Sequence, residues 1–164
     1  MMPRILILVL GMGLAMADAA WAADEPAVDA LAKQSALVVL CQVEKTAEGV
    51  QFRLRETWKG TYLPESFRPA PREGYLPTSL ENHAPDARPG QQFVVFYVLS
   101  PIGVNNMDLC LRVEKILPVL DGHVAYGGRL KEREAASAPA GDQRVAVEEL
   151  KRVVEQTLKA REPK

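Results

Sequence analysis

Residues 91–100, QQFVVFYVLS, constrain the fold more than any other stretch of this chain. Phe93, Val94, Val95, Phe96 and Tyr97 are apolar in succession. A strand sends successive side chains to opposite faces, so such a run has no face to offer water. It predicts a central strand, covered from two sides and introduced by the turn signal Pro89-Gly90. Whatever architecture the chain adopts must supply both covers.

Three further strands can be read around it. Residues 36–44, ALVVLCQVE, are β-branched and almost continuously apolar. KTAEG turns, and residues 50–58 return as a second strand. Strict alternation there puts Val50, Phe52, Leu54 and Trp58 on one face, with Arg53, Arg55, Thr57 and Lys59 on the other. Glu56 interrupts the apolar face, which predicts a bulge or a rim position. After the turn GVNNMD, residues 109–120, LCLRVEKILPVL, alternate again, and Asp121-Gly122 is a two-residue hairpin signal.

Between residues 60 and 92 the texture changes. Six prolines (Pro64, Pro69, Pro71, Pro77, Pro85 and Pro89) exclude long regular elements, although ESFRPA has room for a short edge strand. The segment is nevertheless rich in Tyr, Phe and Leu, so a long ordered loop packed on the body is expected, a place where function often resides. Its arginines, Arg68, Arg72 and Arg88, are expected in solvent.

Helices are expected at both ends. DEPAVDALAKQ, residues 24–34, has Asp24 as a cap, Pro26 in the first turn, and Val28, Leu31 and Ala32 on one face. Residues 143–162 are assigned to a C-terminal helix whose stripe is Val147, Leu150, Val154 and Leu158, with Val153 beside it. That stripe is expected to pack on the parent domain. The polar, Ala/Pro/Gly-rich residues 127–142 are expected to form a flexible connector.

Arg4, the apolar residues 5–15 and the small-x-small Ala20-Trp21-Ala22 have the form of a cleaved export signal over residues 1–22. The apolar run is too short to span a bilayer, which takes about 20 residues. The remaining chain, about 140 residues, is one domain by size and is expected to be a periplasmic or secreted monomer. A net charge of −1 offers no field for nucleic acid or anionic lipid. In an oxidising compartment the two cysteines, Cys41 and Cys110, invite a disulfide; two buried thiols are the alternative.

Catalytic chemistry has little to stand on. His83 and His123 have no second ligand at metal spacing. There is no phosphate-cradling glycine pattern, no nucleophile elbow and no cysteine beside a base. No cofactor and no metal are expected.

Phe52-x-Leu54-x-Glu56-Thr57-Trp58-Lys59-Gly60, the proline-rich loop, the Gly90-led aromatic strand and the Cys-bearing strand after it together resemble bacterial secreted relatives of the netrin-like domains. These domains are related to the tissue inhibitors of metalloproteinases. The resemblance covers residues 36–113. It implies a mainly β fold, a five-stranded OB-like Greek-key barrel (36–126 with its hairpin), carrying the C-terminal α-helix. In such a barrel the strands of Cys41 and Cys110 are neighbours. The zinc-chelating N-terminal cysteine of those inhibitors has no counterpart, since no cysteine precedes Cys41. The expected function is a non-enzymatic binding module of the cell envelope for a protein or glycan, with Tyr62, Phe67 and Tyr75 as an exposed aromatic patch. A small enzyme or enzyme inhibitor acting through residues 60–92 is the alternative.

Overall fold

The computed structural model describes residues 26–102, 108–126 and 143–159. The export signal (1–22), the Asp24 cap, the turn at 103–107, the connector (127–142) and the last helical residues expected (160–162) lie outside these. In chain order the elements are α1 (Val28–Gln34), β1 (Leu37–Thr46), β2 (Gly49–Lys59), β3 (Gln92–Ile102), β4 (Asp108–Leu120), β5 (His123–Tyr126), β6 (Gln143–Ala146) and α2 (Val147–Lys159). The six strands form one antiparallel sheet in the order β2-β1-β3-β4-β5-β6. No helix among the described residues is long and apolar enough to cross a membrane.

The two-sided strand has its two covers. Val94 and Phe96 of β3 join Val38 and Leu40 of β1 beneath α1 and α2. Phe93, Val95 and Tyr97 face the other way, against Phe67, Leu76 and Leu80 of the proline-rich segment. The molecule is thus three layers deep: helices, sheet, ordered loop. Burial on both faces is the consequence of leaving no polar face on β1 or β3.

The five-stranded closed barrel is corrected by this architecture. There are six strands, and β2 and β6 do not pair among the described residues, so the sheet is open. A small barrel hides one face of its sheet inside and shows the other to the exterior. This chain places apolar residues on both faces, and the loop occupies the outer edge of β2. Leu54 N–H donates to Gly74 O at 2.9 Å, and Leu76 N–H donates to Phe52 O at 2.8 Å. The mainly β class with a C-terminal helix stands.

Local chemistry explains most element ends. Asp121 and Gly122 both adopt positive φ, 51° and 73°, the conformation a tight two-residue hairpin needs between β4 and β5. Gly60, φ 78°, ends β2; a Cβ there would run into the Ala36 carbonyl oxygen, so only glycine fits. Pro64–Ser66 form a single 3₁₀ turn, and ESFRPA, which had room for a short edge strand, forms none. Pro64 takes the first helical position, where its missing N–H costs nothing. Residues 143–146, assigned to the C-terminal helix, form β6 instead and pair with β5. Only at Val147 does the chain turn helical, its N–H held by Gly122 O at 3.0 Å.

The bulge foreseen near Glu56 exists and has a larger effect than expected. Leu54 faces Cys41 and Glu56 faces Leu40, leaving Arg55 as an extra residue; Trp58 is a second, between the Thr57–Val39 and Lys59–Val38 pairs. One inserted residue inverts every side chain beyond it. Trp58 therefore enters the helical face, opposite Phe52 and Leu54, rather than sharing their side. Lys59, placed by alternation on the face of Arg53, Arg55 and Thr57, is buried and donates to the carbonyls of Ala32 and, at 3.2 Å, Lys33. A cation there satisfies the terminal carbonyls of α1.

Candidate functional site

An opening lies between the proline-rich layer and the β3–β4 hairpin. It is a cleft of about 570 Å³. Phe67, Arg68, Pro77, Ser79 and His83 come from the loop, and Tyr97, Pro101 and Ile102 from β3. β4 contributes Cys110, Leu111, Arg112 and Val113. Its position follows from the layering: the loop is stapled to β1, β2 and the first half of β3, and the far end of the hairpin projects beyond it.

The stapling uses the aromatic residues singled out from the sequence. Phe67 is 1% exposed and packs edge-on to Tyr97 with ring centroids 5.2 Å apart. Tyr62 lies 5.8 Å from Phe67, and its hydroxyl donates to Tyr75 O. The Tyr75 hydroxyl donates to Glu44 at 3.4 Å, with the Arg72 guanidinium 5.9 Å over its ring. Tyr62 and Tyr75 are half-buried. The trio is therefore not an exposed patch. It holds the loop down, and Phe67 alone of the three reaches the cleft, as part of its floor.

The cleft is amphipathic. Phe67 and Tyr97 are buried, as is Pro77, while Arg68, Ser79, His83 and Arg112 are exposed around them. Arg68 Nη1 donates to Phe67 O at 3.0 Å and also to Glu65 O, which fixes the guanidinium against its own loop. Arg112 Nη1 donates to Ser100 Oγ at 3.4 Å. Among the described residues neither arginine makes an ion pair and no carboxylate lines the cleft. Tyr97 brings a further polar group: its hydroxyl oxygen is buried and has no hydrogen-bond partner among the described residues. Burial, then the neighbouring Cys41 and Tyr62, hold this phenol well above its ordinary range, so it stays an O–H donor.

Cys41 and Cys110 are both buried and unbonded. The expected disulfide is corrected by strand register. Cys41 pairs with Phe93 on one side of β3, and Cys110 with Ser100 on the other. Seven residues of strand separate those partners, roughly 23 Å at about 3.3 Å per residue, against the 4.4–6.8 Å that bridging requires. Cys41 donates to Phe93 O at 3.5 Å, and burial pushes its thiol up to about 12. Cys110 instead lines the cleft. His83 stands at the cleft, and His123 is exposed at the start of β5, its Nδ1 2.8 Å from Asp121 O. No group of three or more metal-ligating side chains occurs among the described residues.

Sequence reading placed interest in residues 60–92 but missed Arg112, Leu111 and Val113, which complete the site from β4. Arg68, expected in solvent, is exposed, and it stands on the cleft rim. Nothing local marks these residues as partners, because they are some forty positions apart and meet only through the loop's docking. In comparisons with protein families, curated proteins and solved structures, this chain matches none.

Proposed function

We propose that this protein is an exported, non-enzymatic binding module of the cell envelope, with its ligand seated in the cleft under the proline-rich loop. The observation that carries the reading is the cleft itself, an ordered, amphipathic opening of about 570 Å³ rimmed by charged side chains that have no ion-pair partner among the described residues. Its volume lies within the range of about 300–1,000 Å³ typical of ligand sites. The groups whose proton affinity is most displaced, Cys41 and Tyr97, are displaced chiefly by burial in the packed layer, which is structural rather than catalytic tuning. Export is supported by Arg4, the apolar residues 5–15 and Ala20-Trp21-Ala22. The resemblance of residues 36–113 to netrin-like domains favours the same extracytoplasmic setting.

A photoreactive amino acid at Ser79, on the cleft rim, tests the reading in intact cells. The control position is Arg152, exposed on α2. Adducts formed from Ser79 and not from Arg152 are expected, on protein whose N-terminus is Ala23. Equal labelling from both positions, or a cytoplasmic product retaining Met1, would refute the cleft or the export respectively.

A further inference from the structure

We propose that the cleft takes a neutral apolar molecule of the aryl-ketone type, its one acceptor oxygen on the Tyr97 hydroxyl and its body against Phe67, Leu111 and Val113. The assignment rests on the cleft being the ligand surface. Strand register puts the body residues on one side of the sheet. Tyr97 pairs with Val113, and Leu99 with Leu111. Opposed residues of antiparallel strands share a face, as do residues two apart, so these four stand on the face that the proline-rich layer covers. Phe67 meets them from that layer, its ring edge-on to Tyr97 with centroids 5.2 Å apart. Phe67 and Tyr97 are buried, Leu111 and Val113 are half-buried, and Leu99 is 53% exposed. An apolar surface therefore runs from the core outward along a single face. Arg112, opposite Val98, and Cys110, opposite Ser100, stand on the other face and take no part in it.

The hydroxyl argues for the oxygen. Tyr97 lines the cleft and is 1% exposed, and its hydroxyl has no hydrogen-bond partner among the described residues. Its polar neighbours are engaged elsewhere: the Tyr62 hydroxyl donates to Tyr75 O, and the Cys41 thiol to Phe93 O. A buried hydroxyl left unpaired is costly, so a ligand that pairs it recovers what folding forgoes. Burial keeps the phenol protonated, and it therefore presents a donor to an acceptor oxygen. The charge of the ligand follows from the same surroundings. A carboxylate laid on this face would set a full charge against one neutral donor and apolar walls, and the cost of desolvation opposes it. A cation meets no carboxylate in the cleft among the described residues. A neutral molecule with a single acceptor satisfies the hydroxyl without that cost.

Methyl-resolved NMR titration of the purified native protein with 2-acetylnaphthalene, 2-ethylnaphthalene and 2-naphthoate tests the class, since the three share a body and differ in the oxygen. The ketone should saturate one site and shift the methyl resonances of Leu111 and Val113. The hydrocarbon should bind about tenfold more weakly for want of one hydrogen bond, and naphthoate should fall at least as far behind. Tyr97→Phe should erase the advantage of the ketone over the hydrocarbon. The same variant should melt no lower than the native protein, because it deletes a buried hydroxyl that has no partner. Equal binding of ketone and hydrocarbon to the native protein, naphthoate binding as tightly as the ketone, an advantage that survives Tyr97→Phe, or no saturation would each overturn the ligand class. If the Ser79 adducts persist in that event, the cleft remains the binding surface; if they are absent too, both readings fall.

Discussion

Trp58 shows how much a single residue carries here. It is 4% exposed, and its indole N–H donates to Glu56 Oε2 at 3.1 Å, which satisfies the polar atom at the rim while the ring fills the layer under the helices. Trp58→Ala should cost about 3–5 kcal/mol in urea unfolding. In a chain starting at Ala23, Trp58 is the only tryptophan, so intrinsic emission should be blue-shifted and resistant to soluble quenchers. Its partner Glu56 titrates with consequence. The hydrogen bond from Lys151 at 2.8 Å, then that from Trp58, holds the carboxyl below its ordinary value of 4.5. A carboxylate with a lowered folded-state pKa contributes stability that is complete above its unfolded value and is lost as pH falls through the folded one. Urea midpoints should therefore drop on acidification below about pH 4.5, and Glu56→Gln should flatten that part of the curve. Because the pair is exposed to solvent, salt should reduce the difference.

Among the elements, α2 offers the sharpest test. Leu150, Val153 and Val154 are buried against the sheet and α1, and Val147 packs beside them. Leu158, the last member of the expected stripe, is 40% exposed, while Thr157 beside it is buried, so the covered face runs through Thr157 instead. Ending the chain after Asp142 removes β6 and α2 together and uncovers one face of β3. The truncated protein should melt well below the full chain and bind a hydrophobic dye; an unchanged melt would mean that the helix contributes nothing to the fold. The helical stripe, the two-sided strand and the Asp121-Gly122 hairpin were all legible beforehand, since periods of 3.6 and 2 and positive-φ turn residues are local properties. Residues 143–146 were misassigned because a four-residue strand has too short a pattern to compete with the helix that follows it.

At the scale of the molecule, the layering decides the cysteine chemistry. Cys41 and Cys110 flank β3 at opposite ends of its register, beyond any bridge. Denatured, unreduced protein should label at two thiols, and reductant should leave the melting temperature unchanged. In the folded protein Cys41, with its pKa raised to about 12 by burial, should resist a thiol reagent at pH 8 until the chain unfolds.

Local patterning already dictates that β3 is covered twice, that residues 60–92 are ordered, that the chain turns at Asp121-Gly122 and that Trp58 belongs to a core. Each follows from side-chain periodicity or from dihedral preferences acting over a few residues. Which core Trp58 enters depends on strand pairing, because one extra residue at Arg55 inverts the strand. Tertiary contacts alone leave the sheet open, since closure depends on what occupies the edge of β2, and there the backbone of residues 74–76 takes the hydrogen bonds. The cleft, too, exists only in three dimensions. Its walls come from residues 67–83 and 97–113, brought together by burial of Phe67, Leu76 and Leu80 on a sheet face that the sequence marks as apolar without saying what will cover it.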